Sequence, residues 1–101
     1  MWTKLNSSCV KMGKFSKQLT HNELSSGYYY TRASIATDLS NYSNIVAVIP
    51  ILTVRSPGID AVHTVSYENY TLSNGYFSGG NLAVSSNRSG TSTVMVYVLY
   101  I

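Results

Sequence analysis

Hydrophobic positions are densest in residues 44–54, where β-branched side chains dominate. Such side chains favour an extended backbone. The apolar side chains of this run occupy both odd and even positions, which point to opposite faces of a strand. A strand with one wet face would alternate, so the pattern predicts a central strand that is covered on both faces. Pro50 removes one donor from the hydrogen-bond ladder. We therefore expect two short strands, about 44–49 and 51–55, with a kink where the chain passes from one sheet to another.

Three further segments carry weaker strand patterns. Residues 92–101 are rich in β-forming side chains and must be paired, because such a strand aggregates when it is exposed. Residues 9–17 alternate imperfectly, which favours an edge strand of low register specificity, and residues 18–26 are predicted to form a loop. Residues 28–37 form a strand whose core face should carry Tyr29, Thr31, Ala33 and Ile35.

Turn signals divide the second half of the chain into short segments. They occur at residues 57–58, 74–75, 79–80 and 89–90. The Asn-Gly pair at 74–75 between two short runs is the strongest hairpin signal among them. Counting the runs between turns gives seven or eight short strands and no convincing helix. The predicted fold is one all-β domain over residues 1–101, a small antiparallel β-sandwich or small barrel.

The predicted core combines the two most apolar strands with the connector that precedes the first of them. Leu39 and Tyr42 should pack beneath that connector. The residues that we expect in or near the core are Ile45, Val46, Val48, Ile51, Val94, Val96 and Val98.

Charge is scarce and unevenly distributed. Charged residues are 11% of the chain, and Ser, Thr, Asn and Gly dominate the rest of the polar surface, which is typical of extracellular or virion β proteins. The net charge is +3, and Lys4, Lys11, Lys14 and Lys17 all precede the first acidic residue. Clustered lysines would suggest nucleic-acid binding, but these are spaced three to seven residues apart and favour a strand with solvent-facing lysines. We therefore predict no nucleic-acid partner and, since the apolar run is too short, no membrane insertion.

Motifs for catalysis are absent from the sequence. His21 and His63 lack metal-ligand spacing, and Cys9 is the only cysteine, so it cannot form an intrachain disulfide or a thiolate cluster. Neither a nucleophile elbow nor a phosphate-binding loop is present. The sequence predicts a protein that is not an enzyme and that uses no cofactor or metal.

Aromatic and amide side chains concentrate between residues 67 and 81 and form the candidate binding site. Tyrosine with Asn and Ser binds with little loss of entropy, and flat rings beside polar groups suit a sugar. The alternative is that the tyrosines pack as cross-strand pairs, and the sequence leaves both possibilities open for Tyr70 and Tyr76. The candidate residues are Tyr70, Tyr76, Asn69, Asn74 and Asn81.

The order of these features resembles a terminal module of bacteriophage and prophage tail fibres and tail-tip proteins. The matching elements are Trp2-Thr-Lys-Leu5, the step Leu39-Ser-Asn-Tyr42 before an apolar strand, the Asn-, Gly- and Tyr-rich hairpins, and the closing strand. The resemblance implies a virion protein of the tail or particle surface that attaches to host-surface carbohydrate. It also implies a homotrimer, and few charges with a long apolar strand independently favour self-association.

A structural role in the virion is the alternative function. In that role the chain would decorate the capsid, belong to a head fibre or assist tail assembly by docking to other particle proteins. The lysines of residues 4–17 would then contact an acidic neighbour.

Overall fold

The computed structural model describes residues 9–25, 28–54, 63–87 and 89–101. Six strands and one short helix occur in this part of the chain, and all strand pairings are antiparallel. The elements are β1 (Lys11–Ser25), β2 (Tyr28–Ser34), α1 (Ala36–Leu39), β3 (Ile45–Val54), β4 (His63–Ser73), β5 (Tyr76–Ser86) and β6 (Gly90–Tyr100). The predicted antiparallel all-β fold is confirmed, with six described strands where seven or eight were expected. The predicted turn at residues 57–58 lies outside the described residues. No helix of the described chain is long and apolar enough to span a bilayer.

The strands form two three-stranded sheets that are joined by one long strand. Sheet A has the order β3-β6-β1, and sheet B has the order β2-β5-β4. β1 pairs with β6 as far as His21 and with β2 from Asn22 onward, so the chain changes sheets between these two residues. Pro50 was the predicted crossing point, and this prediction is wrong, because β3 stays in sheet A over its whole length.

The long β1 confirms one prediction and contradicts another. Residues 9–17 were expected at an edge, and within the described part of the chain β1 pairs with β6 alone as far as His21, so this part of the strand forms one edge of sheet A. The prediction of a loop at residues 18–26 is wrong, because β1 continues to Ser25. Leu19 and His21 in this stretch are buried, and they pair with Ser92 and Gly90 of β6. Burial between the sheets therefore outweighs the polar composition of the segment.

β3 is an edge strand and not the predicted central strand. Among the described residues it pairs with β6 alone. Pro50 lies opposite Val96 inside one continuous strand, which an edge position tolerates. Ile49 and Ile51 are 43% and 46% exposed, so the prediction that Ile51 belongs to the core is also wrong. The register places both isoleucines on the side of the sheet that faces away from the core.

The core lies between the two sheets and centres on β6. Buried and half-buried residues alternate along this strand, as expected of a sheet covered on one face. Leu82 and Val84 of β5 are fully buried opposite it. The predicted core positions Ile45, Val94, Val96 and Val98 are confirmed as buried, whereas Val46 and Val48 are half-buried.

The helix α1 packs over one part of this core. Ile35, just before the helix, is fully buried, as its predicted place on the core face requires. Leu39 is 3% exposed and Tyr42 packs against the core cluster, as predicted for these two residues of the connector. Lys17 of β1 and Asp38 of α1 form an ion pair of 2.8 Å that ties the helix to sheet A. Since both side chains are about one-third exposed, this pair contributes at most about 1 kcal/mol.

Two leucines on the same hairpin test where the core ends. Replacing the fully buried Leu82 by alanine should lower the free energy of unfolding by about 2–5 kcal/mol, because a cavity is left between the sheets. The matched change Leu72→Ala, at a side chain that is 57% exposed, should alter it by no more than about 0.5 kcal/mol. Urea unfolding of the two variants measures this difference, and equal effects would contradict the assigned core.

Candidate functional site

The candidate residues lie on the long hairpin that β4 and β5 form. Asn74 and Gly75 join the strands with φ values of 54° and 82°. Positive φ at both central positions is the mark of a type I′ turn, whose twist matches that of the flanking strands. Ser73 pairs with Tyr76 directly before and after the turn. The hairpin predicted from Asn74 and Gly75 is confirmed, and Asn74 has a backbone role in it.

A bend interrupts the hairpin where the sequence predicted a further turn. Gly79 and Gly80 have φ values of 68° and 97°, and Asn69 has a φ of 59°. Tyr70 pairs with Gly79, so the register places Asn69 opposite Gly80. These residue types adopt the left-handed backbone at the least cost. The prediction of a turn at residues 79–80 is wrong, because these residues lie within the continuous strand β5.

The bend brings three aromatic rings onto one face of the hairpin. Residues three apart on a regular strand point to opposite faces, yet the rings of Tyr67 and Tyr70 stack with centroids 4.7 Å apart. The left-handed Asn69 between them accounts for this, because it reverses the alternation of side chains. The ring of Phe77 meets Tyr70 edge-on at 5.0 Å. We call Tyr67, Tyr70 and Phe77 the aromatic cluster.

Tyr67 anchors this cluster to the backbone. Its ring covers Gly80 so closely that a Cβ atom there would lie 2.4 Å from a ring carbon. Its hydroxyl donates a hydrogen bond to the carbonyl oxygen of Gly79. Burial, and secondarily the neighbouring Tyr70, raise the pKa of Tyr67 to about 12. Tyr67 therefore stays protonated and holds the bend over the whole physiological pH range.

Tyr70 and Tyr76 do not form a common surface. They are exposed to a similar extent, 43% and 38%. However, Tyr70 contacts Phe77, and Tyr76 is the neighbour of Phe77 along a regular part of β5, so the two tyrosines lie on opposite faces of the hairpin. A single flat ligand cannot stack on both rings.

Asn81 lies on the outer face of sheet B, away from the turn. It pairs with Ser34 of β2 and with Glu68 of β4. The Glu68 carboxylate there accepts hydrogen bonds from Tyr30 and Arg32, at 3.0 and 2.9 Å. The hydrogen bond from Tyr30, followed by that from Arg32, lowers the pKa of Glu68. Asn81 therefore adjoins a charged network and is separate from both exposed tyrosines.

A cavity of about 310 Å³ opens beside Tyr76. β2 ends at Ser34, opposite Asn81, so the part of β5 that lies closer to the turn borders this cavity instead of a strand of sheet B. The opposite wall comes from α1 and the connector that follows it. The residues that line the cavity include Leu39, Ser40, Tyr42, Asn44, Tyr76 and Phe77. The volume falls at the small end of the range for small-molecule sites.

Tyr42 is a wall residue that the sequence did not indicate as part of a site. Its ring lies 5.0 Å from that of Tyr100 and covers Gly13, where a Cβ atom would lie 2.3 Å from a ring carbon. The cavity wall beside Tyr76 is thus fixed by packing against sheet A. The lack of a side chain at Gly13 was the one available signal, because a glycine inside a strand often marks a close approach.

The described groups offer aromatic surface and neutral polar atoms. No three His, Cys, Asp or Glu residues in the described ranges are grouped so that they could hold a metal ion. His21 is fully buried, and its Nε2 lies 3.0 Å from the hydroxyl of Ser92. The side chain of His63 lies outside the described residues.

Comparison with known protein families, with curated proteins and with solved structures finds no match.

Adjacent glycines test the contact between Tyr67 and Gly80. Both Gly79→Ala and Gly80→Ala introduce a side chain at positive φ, but only the second also displaces the Tyr67 ring. Gly80→Ala should therefore lower the free energy of unfolding by about 1–3 kcal/mol more than Gly79→Ala. Chemical denaturation measures both changes, and a larger loss in Gly79→Ala would argue against the packed ring.

The raised pKa of Tyr67 makes stability depend on alkaline pH. Between pH 10, the ordinary value, and about 12, the unfolded chain loses this proton while the folded chain keeps it. Stability should fall with rising pH across this window, whereas below it the contribution is complete. Tyr67→Phe should unfold with a shallower pH dependence there. Urea midpoints of the two proteins measure the difference, and parallel curves would refute the shift.

Proposed function

We propose that this chain is a non-enzymatic, carbohydrate-binding module of a bacteriophage virion. It attaches to host-surface polysaccharide at the cavity beside Tyr76. The observation that carries the proposal is an exposed tyrosine, Tyr76, that lines a cavity of about 310 Å³. The resemblance to tail-fibre and tail-tip modules supports the location on the tail or particle surface, and it also implies a homotrimer.

The chemistry of the cavity suits a sugar. The flat ring of Tyr76 offers an apolar surface for the C–H face of a sugar ring, and Asn44 and Ser78 supply polar groups at the same cavity. The edge of β5 toward the cavity adds backbone donors and acceptors, because β2 ends before reaching it. A neutral sugar needs few charged groups in its binding site. The small volume suits the end or a side branch of a polysaccharide.

The other predicted site residues take different parts in this proposal. Asn69 and Asn74 are placed at positive φ and shape the hairpin. Asn81 adjoins the Glu68 network on the outer face of sheet B. Tyr70 belongs to the aromatic cluster on the face opposite Tyr76, where its exposed ring offers a separate contact surface.

A structural role in the virion remains the second candidate function. The observation that favours it is the exposure of large apolar side chains, such as Met12 at 63% and Leu72 at 57%. Such groups suit contacts with other particle proteins more than they suit a sugar. Lys11 and Lys14 are also exposed and would be available to an acidic neighbour.

Variants of the two exposed tyrosines test the sugar site. Tyr76→Ala should weaken binding to purified host-surface polysaccharide roughly tenfold or more, because truncating an aromatic anchor costs above about 1 kcal/mol. Tyr76→Phe keeps the ring and should retain most of the affinity. Binding is measured by calorimetry and by adsorption to host cells.

The variant Tyr70→Ala tests whether the sugar binds on the opposite face of the hairpin instead of at the cavity. Loss of binding in Tyr70→Ala but not in Tyr76→Ala would overturn the cavity proposal in favour of the opposite face of the hairpin. If both variants fold and bind normally while particle assembly fails, the structural role is correct.

A further inference from the structure

The outer faces of the two sheets differ in chemistry. Sheet B carries the ion pair between Arg32 and Glu68 on its outer face, with Ser and Thr side chains around it. The register of sheet A places apolar side chains from all three of its strands on the face turned away from the core. We call this surface the apolar face, and it comprises Met12, Ile49, Ile51, Met95, Tyr97 and Leu99.

The apolar face is unusual for a sheet that meets water. An antiparallel sheet covered on one face normally carries polar residues on the other. Here Met12, Ile49 and Ile51 are 63%, 43% and 46% exposed, and the β6 side chains between them are half-buried. A contiguous surface of this kind marks an interaction site more often than plain solvent contact. The apolar outer positions of β3 are also the reason that its sequence resembles a central strand.

Charge narrows the choice of partner. Lys14 is the only charged residue that the register places in the rows of the apolar face. It lies on the part of β1 whose only strand partner in the described chain is β6, where its ammonium group can reach solvent while the stem packs. A polyanion or an acidic protein would find only this one cation on the face, and a basic protein would find no opposite charge to match. A second copy of the same face meets apolar surface without charge repulsion at its centre.

The area of the apolar face sets the strength of the contact. Three strands about 4.8 Å apart and four rows of side chains about 7 Å apart span roughly 15 by 27 Å, or about 400 Å² in each copy. Two copies together would bury about 800 Å², so the contact is a weak one that forms at high protein concentration. Sheets that pack face to face lie about 10 Å apart with their strands near −30°.

We propose that the apolar face packs against the same face of a second copy of this chain. One self-complementary face closes with two copies, whereas a trimer needs two different contact surfaces on each copy. The proposed complex is therefore a dimer, in contrast to the trimer that the resemblance implies. It does not depend on the sugar site, which involves neither β1 nor β6 and lies outside this face.

Lysine substitutions on β3 test the dimer. Ile49→Lys with Ile51→Lys should raise the dimer dissociation constant by roughly a hundredfold or more, because charged groups would be buried without partners. Met12→Lys, on another strand of the same face, should weaken the dimer in the same direction. The matched control is Thr64→Lys with Thr71→Lys on edge strand β4, whose outer positions belong to sheet B. Circular dichroism and thermal melting establish that each variant folds.

Sedimentation equilibrium from micromolar to near-millimolar concentration gives the mass. A dimer that dissociates in both apolar-face variants and persists in the control supports the proposal. A monomer at every concentration, a trimer, or a dimer that the β3 variant leaves unchanged would overturn it. Polysaccharide binding by the β3 variant is measured in parallel, so failure of the dimer and failure of the sugar site are separate results.

Discussion

The passage of β1 from one sheet to the other is the constraint on which the rest of the structure depends. A single continuous strand belongs to sheet A up to His21 and to sheet B from Asn22, so the two sheets cannot separate without breaking its pairing. The corner is filled by Leu19 and by His21, whose imidazole contacts the buried hydroxyl of Ser92. With the sheets held in this way, β3 comes close to β4 and β5 on the opposite side, and the core residues of β6 face those of β5.

The bend in the hairpin is the second organising feature, because it separates structural from exposed tyrosines. Left-handed backbone at Asn69 and Gly80 lets the ring of Tyr67 lie flat against the chain and support Tyr70. Tyr76 remains outside this packing and faces the cavity together with Tyr42. Tyr42 and Tyr67 each cover a glycine within a strand, so in both places the missing side chain is replaced by an aromatic ring from elsewhere.

Local patterns were sufficient for part of the fold. The strand of residues 92–101 and the hairpin at Asn74 were predictable because their signals depend on near neighbours alone. The sheet change at His21 was not, since it requires pairing with β6, about seventy residues away. The central position assigned to β3 failed for a different reason. An edge strand with an apolar outer face has the same sequence pattern as a central strand that is covered on both faces, and the exposed Ile51 is an example.

The candidate site was predictable to a similar degree. Tyr76 was found because it lies in a segment rich in tyrosine and asparagine, but its wall partners Tyr42 and Asn44 are more than thirty residues away in sequence. The four-residue helix that carries part of this wall is too short to produce a periodic pattern. Opposite placement of Tyr70 and Tyr76 could not be foreseen, because it depends on which residue of the hairpin adopts a left-handed backbone.

The antiparallel pairing of β1 with β6 has a mechanical consequence. Lys11 lies opposite Tyr100, so tension applied at these two points would load the hydrogen bonds one after another and open the ladder like a zipper. Tension between either point and a ligand held at β5 would instead pass through several strands, and many hydrogen bonds would share the load. The domain should therefore resist force along this second direction far better than force applied between Lys11 and Tyr100.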